Sequence, residues 1–231
     1  MVPDNYQHIW DTCCDHGMLG EALLVERIVH KASTSNHSIV HFVDIIPSIM
    51  AHVTNKLQQY YGSWSNNWRA HCLDLANLPL DSYQGKHLLI ISGISGELMA
   101  SLIKRFVNKY PTTKLNNIEF LLCPAHGQLL LRKALIALSF TLNDEVLVED
   151  NQRFYEVMHV STYTQGKPIN PVGDKIWQYP DLSARYLTKI LNHYQRKQSG
   201  YNKSLKNKRY DDELKVLQET IEAYKAVRLA K

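Results

Sequence analysis

Short apolar runs alternate with amphipathic stretches along residues 8–138 of the chain. Five of the runs have the length and composition of buried strands: residues 8–12, 39–43, 68–73, 87–91 and 118–123. Stretches with helical periodicity follow most of them: residues 18–31, 48–61, 97–109 and 128–138. This alternation predicts parallel βαβ units and therefore an open α/β sheet.

The remainder of the chain changes character twice. Residues 140–149 and 153–161 flank a polar turn and predict an antiparallel hairpin, whereas residues 163–180 are rich in turn formers and predict a connector. Apolar residues then recur every three or four positions in two groups: Leu182, Tyr186, Ile190 and Tyr194, then Leu214, Leu217, Ile221 and Tyr224. We therefore expect an α/β domain over residues 1–162 and a helical hairpin or short coiled coil over residues 181–231.

The end of the first predicted strand has the composition of a ligand site. Asp11 closes the strand, Asp15 lies in the following turn, and the small residues Cys13, Cys14 and Gly17 permit a sharp backbone reversal. A ligand of an α/β sheet binds at such strand ends, beside the start of the next helix. The glycine spacing is not that of a dinucleotide or P-loop site. An acidic turn favours a cationic cofactor, of which S-adenosylmethionine is an example.

Further acidic residues end the next two predicted strands. Asp44 follows the second strand, where a carboxylate can accept both ribose hydroxyls, and Asp74 follows the third, where a side chain can meet an adenine amino group. Either residue can instead be a turn or helix N-cap residue. Their ordered occurrence after successive strands favours the ligand interpretation.

Charge is distributed unevenly along the chain. The net charge is +4, but residues 181–231 carry +6 and residues 1–180 carry −2. The basic tail is consistent with a polyanionic partner, and also with an ordinary solvated helical surface.

The cysteines, the N-terminus and one serine motif exclude several classes. The four cysteines lack a spaced framework, and neither a signal peptide nor a transmembrane run is visible, so we expect reduced thiols in a cytoplasmic protein without a membrane anchor. Zinc-type paired spacings are absent, so no metal is expected. The segment Ser92-Gly-Ile-Ser-Gly96 lacks one residue of a nucleophile elbow, which argues against a hydrolase.

Several segments, in order, resemble the bacterial tRNA (adenine-N1) methyltransferases that act on adenine 22, the TrmK family. Asp11-Thr-Cys-Cys-Asp-His-Gly-Met-Leu19 aligns with the family's Asp-Ile-Gly-Ser-Asp-His-Ala-Tyr-Leu, and Ser92-Gly-Ile-Ser-Gly96 with Ala-Gly-Met-Gly-Gly. Leu122-Cys-Pro124 stands for Leu-Gln-Pro. Arg132, Asp144-Glu145 and Phe154-Tyr-Glu-Val157 match the later arginine and the closing hairpin. The resemblance covers nearly the whole chain.

The resemblance implies a class I S-adenosylmethionine-dependent methyltransferase domain of Rossmann-like α/β fold, with a helical tail, that methylates N1 of a tRNA adenine. The expected cofactor-binding residues are Asp11, Cys13, Cys14, His16, Asp44, Ile45, Asp74, Leu75 and Ser92. The expected catalytic residues are Asp15, Ser92, Gly93 and His126. The expected RNA-binding residues are Lys203, Lys206, Lys208, Arg209, Arg132 and Tyr155.

The chain departs from the family at both sides of the expected site. Cys13 and Cys14 replace Gly-Ser in the cofactor turn, while Cys123 and Ala125 replace the Gln and Asn of Gln-Pro-Asn near the substrate base. Two alternatives therefore stay open. One is a methyltransferase of the same fold that acts on another RNA or a small molecule, and the other is an inactive RNA-binding relative.

Overall fold

The computed structural model describes residues 5–30, 38–162, 166–203 and 209–227, together with residues 2 and 229. Its strands are β1 (His8–Thr12), β2 (Ile39–Asp44), β3 (Trp68–Cys72), β4 (His87–Ser92), β5 (Ile118–Cys123), β6 (Thr141–Asp150), β7 (Arg153–Ser161) and β8 (Lys167–Pro168). They form one sheet in the order β3-β2-β1-β4-β5-β7-β6-β8. The first five strands are parallel and the last three pair antiparallel, so the predicted sheet and hairpin are confirmed.

Seven helices lie in the described ranges. They are α1 (Met18–His30), α2 (Pro47–Tyr61), α3 (Gly96–Lys109), α4 (Thr112–Leu115), α5 (Gln128–Ala137), α6 (Pro180–Lys203) and α7 (Arg209–Lys225). The predicted helices are confirmed to within a few residues at their ends. The short α4 and β8 escaped prediction because elements of four and two residues carry no periodic pattern.

The helices cover both faces of the sheet. One core contains Leu24, Phe42 and Met50 beneath α1 and α2, and the opposite core contains Phe106 and Phe120 beneath α3, α4 and α5. Helix α1 approaches the sheet closely at Gly20. A Cβ there would lie 2.5 Å from the Phe42 ring and 2.9 Å from the Asp11 carboxylate, so only glycine fits.

Four histidines cross the sheet on the α3 side, and three of them form a hydrogen-bonded chain. His8 Nδ1 lies 3.1 Å from His41 Nε2, and His41 Nδ1 lies 2.9 Å from His71 Nε2. His8 Nε2 lies 3.0 Å from the Gln84 carbonyl oxygen, which can only accept. Burial lowers the pKa of His8, His41 and His71, so these rings are neutral at neutral pH. With neutral rings, this order of donors and acceptors places each proton on Nε2.

The fourth histidine and a tryptophan complete this cluster. Trp10 Nε1 donates to His87 Nδ1 at 3.1 Å, and the Trp10 ring stacks on His41 with centroids 3.7 Å apart. Burial and the neighbouring imidazoles lower the pKa of His41 to about 2. Burial also lowers the pKa of His87 to about 4. The cluster is therefore uncharged at neutral pH.

A second buried polar cluster joins α5, the hairpin and α6. The Arg132 guanidinium, with 0% of its side chain exposed, bonds to Glu145 at 2.6 Å and Glu156 at 2.8 Å. Glu145 also accepts from the backbone amides of Asp174 and Lys175, at 2.6 and 2.7 Å. We refer to Arg132, Glu145 and Glu156 as the arginine network. Unlike the histidine chain, it is charged.

The tail helices α6 and α7 pack on the body through an apolar cluster. It contains Leu129 of α5, Leu147 of β6, Trp177 of the connector, and Tyr186, Ile190 and Tyr224 of the tail. Leu217 and Ile221 of the tail are buried as well, as the spacing of the apolar residues predicts. No helix within the described ranges has the length and apolar character needed to cross a membrane. All four cysteines are free.

Candidate active site

The turn between β1 and α1 is built from left-handed residues. Cys13, Asp15 and Gly17 have φ of 56°, 48° and 70°. A non-glycine residue in this region costs roughly 1–2 kcal/mol, here as at Asn151 and Gln152 of the β6–β7 turn, so surrounding contacts must hold the turn in this shape. The Cys14 amide donates to the Val43 carbonyl at 3.1 Å, and the Asp15 amide donates to the Asp44 carboxylate at 3.2 Å. The turn is thereby fixed to the end of β2.

Asp11 supports the turn from below. Its carboxylate is 3% exposed and accepts from the Gly20 amide of α1 at 2.8 Å. Burial raises the pKa of Asp11 to about 7, against the opposing effect of the Gly20 hydrogen bond, and the Asp44 charge adds to the shift. The Asp11 carboxylate thus holds α1 against β1, and the contact of Asp11 with a cofactor stays a prediction.

Asp44 lies at the mouth of the site. Its carboxylate is half-buried and accepts from the Asp15 and Ile46 amides, at 3.2 and 3.1 Å. Ile45, beside it, is 62% exposed although it is apolar. An exposed carboxylate edge next to an exposed apolar side chain suits a nucleoside, which presents hydroxyls and a flat apolar base.

Asp74 combines the two interpretations that the sequence left open. One carboxylate oxygen caps the short helical turn Leu75–Asn77 by accepting from the Ala76 amide at 2.8 Å. The other pairs with Arg105 of α3 at 3.0 Å. The N-cap interpretation is thus confirmed for Asp74, and a ligand would have to share this carboxylate with Arg105.

The carboxylates make this edge of the sheet electronegative. Burial raises the pKa of the Cys13 thiol to about 11, and the nearby charges of Asp44, Asp11 and Asp74 contribute to the shift. The negative electrostatic potential at Cys13 therefore disfavours the binding of a further anion and favours the binding of a cation.

The loops after β4 and β5 form the other side of the edge. Thr12 pairs with Ile91, so the loop that begins at Cys13 lies beside the loop that follows Ser92, the last residue of β4. Gly93 has φ of 80°, and a Cβ built on it would meet no atom of the described residues within 4 Å, so space for a ligand lies against its backbone. The Ser92 hydroxyl hydrogen-bonds to the thiol of Cys123, whose pKa is raised by burial.

Backbone hydrogen bonds connect these two loops. The Gly93 amide donates to Cys123 at 3.1 Å, the Ala125 amide to Ile94 at 2.9 Å, and the Gly96 amide to His126 at 2.8 Å. The loop after β4 and the loop after β5 therefore form one continuous surface. The His126 side chain is exposed on it.

The predicted site residues differ in exposure, since some are open to solvent and others are buried. We call the edge formed by the carboxyl ends of the parallel strands the carboxyl edge. Five predicted residues are exposed there: Asp15, His16, Ile45, Gly93 and His126. His16 Nε2 lies 3.7 Å from Asp15 Oδ1. Two predicted cofactor-binding residues have buried side chains: Cys14 is 8% exposed with its sulfur 3.9 Å from that of Met50, and Leu75 is 4% exposed in the core. A contact of either residue with a cofactor stays a prediction and would have to be made by its backbone.

The predicted RNA-binding residues also divide. Arg132 is wrong as an RNA contact, because its guanidinium is fully buried in the arginine network. Tyr155 is half-buried on β7 opposite Val148. Lys203 ends α6 and Arg209 begins α7, while Lys206 and Lys208 lie outside the described residues.

Sequence reasoning overlooked a set of cations on α6. Arg185, Lys189, Arg196 and Lys197 are all exposed. The signal was available, since residues 182–210 contain eight Lys or Arg and no acidic residue. Among the described residues, no group of three or more His, Cys, Asp or Glu side chains is arranged to hold a metal ion.

Residues 1–158 match the model of a protein family whose description is methyltransferase domain. The chain belongs to this family. Solved structures agree: TrmK of M. capricolum, in complex with S-adenosyl-homocysteine, is 11% identical with a TM-score of 0.68, over 95% of this chain and 89% of that one. The B. subtilis m1A22 tRNA methyltransferase TrmK is 18% identical with a TM-score of 0.66, over 96% and 92%.

A third structure, S. pneumoniae Sp1610 with S-adenosyl-L-methionine, is 17% identical with a TM-score of 0.60, over 96% of this chain and 91% of that one. At such identities the similarity establishes a shared fold. The predicted class, a Rossmann-like methyltransferase domain followed by helices, is thereby confirmed. No curated protein sequence matches this methyltransferase.

Proposed function

We propose that this methyltransferase uses S-adenosyl-L-methionine to methylate N1 of an adenine in tRNA, at a position of the adenine-22 type. The observation that carries the proposal is the carboxyl edge, where an acidic, strained turn lies beside open space against Gly93. The reaction and substrate class come from proteins of the same fold that are described as TrmK or as tRNA m1A22 methyltransferases.

The residues present at the edge fit this cofactor. Asp44 would accept the ribose hydroxyls, Ile45 would offer an apolar surface to the adenine, and Asp74 would meet its amino group. Cys13 and His16 would border the rest of the molecule, and the acidic field favours its cationic groups. When bound, S-adenosyl-L-methionine supplies a methyl group on a sulfonium, which a nitrogen lone pair can attack.

The chain's own task is to align the substrate base. Adenine N1 is on the base-pairing edge, so the base must leave its stack to react. The backbone at Ser92 and Gly93 would hold the base, with Asp15 and His126 as hydrogen-bond partners for its amino group. Alignment of this kind can lower a barrier by roughly 7–11 kcal/mol, so no strong general base is required.

The tail would bind the tRNA backbone. The exposed cations of α6, with Lys203, Lys206, Lys208 and Arg209, form a long basic segment without interspersed carboxylates. In this proposal residues 1–162 carry methyl transfer, residues 163–180 connect, and residues 181–231 bind RNA. A tRNA substrate would place the activity in the cytoplasm. Phosphate contacts position an RNA without specifying its sequence.

A cofactor titration tests the site. Asp44→Ala should weaken S-adenosyl-L-methionine binding at least about tenfold, or roughly 1.4 kcal/mol, and leave tRNA affinity unchanged. Asp81→Ala, a change of the same kind at an exposed aspartate outside the site, is the matched control and should leave both affinities unchanged. Equal loss of cofactor and tRNA affinity in Asp44→Ala would refute the assignment of Asp44 to the ribose.

A salt titration tests the tail. Replacing Lys203, Lys206, Lys208 and Arg209 with alanine should weaken tRNA binding and make log K against log[salt] shallower by about 3, because each phosphate contact contributes roughly 0.7–0.9. An unchanged slope would refute these four residues as phosphate contacts.

A second substrate class is favoured by one feature. Cys123 and Ala125 are smaller than the Gln and Asn that the resembling family has there, and Ala125 is exposed beside His126. A methyltransferase with this surface could act on another RNA base or on a small molecule. Cofactor binding without methylation of tRNA would support this alternative.

A further inference from the structure

The substrate-side surface is connected to the tail through one short helix. The loop that ends at Gly127 leads directly into α5, and Arg132 lies about one turn into that helix. Each arginine nitrogen is engaged: Nε bonds to Glu156 at 2.9 Å, Nη1 to the Asn170 carbonyl at 3.2 Å, and Nη2 to Glu145 at 2.6 Å. Helix α5 is therefore fixed to the hairpin and the connector.

Glu156 extends this connection to α6. One oxygen binds Arg132, and the other accepts from the Tyr186 hydroxyl at 2.6 Å, in a fully buried setting. A single carboxylate on β7 thus joins the helix behind the substrate-side loop to the helix that carries the exposed cations. The bond is charge-assisted, which makes it shorter and more directional than a neutral hydrogen bond.

Other polar contacts also hold α6: the Ser183 hydroxyl donates to the Ile176 carbonyl at 2.8 Å, Arg185 pairs with Glu149, and Lys189 donates to the Gln152 carbonyl at 2.6 Å. The Arg185 and Lys189 bonds involve exposed side chains at the hairpin turn, whereas the Tyr186 bond is buried and charge-assisted.

Leu129, Trp177 and Ile190 pack around Tyr186 through apolar surfaces, which resist separation but have little directional preference. Arg196 lies ten residues beyond Tyr186, or about 15 Å along the helix. A tilt of about 15° at Tyr186 would therefore move the Arg196 backbone by about 4 Å, which is enough to lose a phosphate contact.

We propose that Tyr186, held by the Glu156–Arg132 pair, is a positioning residue that sets the orientation of the basic face of α6 relative to the substrate-side loop. The inference rests on the proposed function, because it assigns the tRNA backbone to α6 and the target base to the loop. Tyr186 contacts neither of them. It acts by fixing the distance between the place where RNA is held and the place where it reacts.

The test compares two tyrosines of the same cluster. Tyr186→Phe removes a hydroxyl that is bonded to Glu156. Tyr224→Phe removes an equally buried hydroxyl that has no hydrogen-bond partner among the described residues. We expect Tyr186→Phe to raise KM for full-length tRNA about five- to tenfold, with kcat and the KM for S-adenosyl-L-methionine changed less than about twofold. Tyr224→Phe should change none of these constants.

Kinetic results of another form would overturn the proposal. If both variants raise KM for tRNA equally, the hydroxyl bond to Glu156 does not position α6. If Tyr186→Phe lowers kcat and weakens cofactor use together, the residue supports the domain as a whole. A short RNA stem-loop that reaches the site but not α6 should react equally well with wild type and Tyr186→Phe.

A distance measurement separates this inference from the proposed function. Spin labels on a genetically encoded ketone amino acid at Lys104 of α3 and Gln195 of α6 leave the native cysteines untouched, and both sites are exposed. The inter-label distance should shift or broaden by several ångströms in Tyr186→Phe and match wild type in Tyr224→Phe. Unchanged distances in Tyr186→Phe would overturn the positioning role even if tRNA is methylated. Failure of wild type to methylate any RNA would instead refute the proposed function.

Discussion

The histidine chain and the arginine network are two solutions to burying polar groups in one sheet. In the histidine chain, neutral rings on β1, β2 and β3 each match one donor to one acceptor. In the arginine network, one guanidinium meets two carboxylates, and backbone amides and Tyr186 satisfy the remaining oxygens. The first is therefore sensitive to added protons, and the second to removal of a partner.

The largest expected effect comes from removing the shared partner of the arginine network. Arg132→Met leaves two buried carboxylates without a cation and should lower the free energy of unfolding by about 3–5 kcal/mol. Urea denaturation at pH 7.5 measures it. Arg105→Met is the matched control, since its ion pair with Asp74 is 52% exposed on the arginine side and should be worth about 1 kcal/mol or less. Similar losses in both variants would contradict the distinction.

Acid should destabilise the histidine chain, because its rings are neutral in the folded protein. The folded-state pKa of His41 is lowered from 6.5 to about 2, so the unfolded state binds its proton first as pH falls. The stability that depends on neutral His41 is complete above pH 6.5 and is lost as pH decreases below it. Between pH 7.5 and pH 5 the loss from this residue should be about 2 kcal/mol.

A variant isolates this contribution. Asp11, whose pKa burial raises to about 7, changes wild-type stability in the opposite direction over the same range. We therefore compare wild type with His41→Gln, whose amide can still donate to His8 and accept from His71. The difference in unfolding free energy between the two proteins should shift by about 2 kcal/mol in favour of the variant at pH 5. A difference that is constant with pH would show that His41 titrates normally.

The smallest expected effect concerns Tyr224, at the edge of the arginine network. Its hydroxyl is buried and finds no partner within the described part of the chain, so Tyr224→Phe should leave the free energy of unfolding unchanged or raise it by about 0.5 kcal/mol. Thermal unfolding is a sufficient measurement. Destabilisation by more than about 1 kcal/mol would mean that the hydroxyl is bonded in solution.

Local patterns predicted the sheet and the strand-end carboxylates well, because strands, helices and turns follow from the periodicity of the chain. Tertiary pairing decided the rest. The burial of Arg132 cannot be predicted from the residues next to it in the sequence. Its partners Glu145 and Glu156 lie on the hairpin and reach it only in the folded protein. Asp74 likewise gains Arg105 across the fold. The spacing of residues in the sequence predicted where the edge of the site lies. It could not show which charged side chains at that edge already have an ion-pair partner.

The most direct test of the account is nucleoside mass analysis of tRNA incubated with the purified chain and S-adenosyl-L-methionine carrying a labelled methyl group. We expect label in 1-methyladenosine, at a position of the adenine-22 type, and its loss in Asp44→Ala. Cofactor binding with no labelled 1-methyladenosine in any tRNA would contradict the proposed substrate, and absence of cofactor binding would contradict methyl transfer itself.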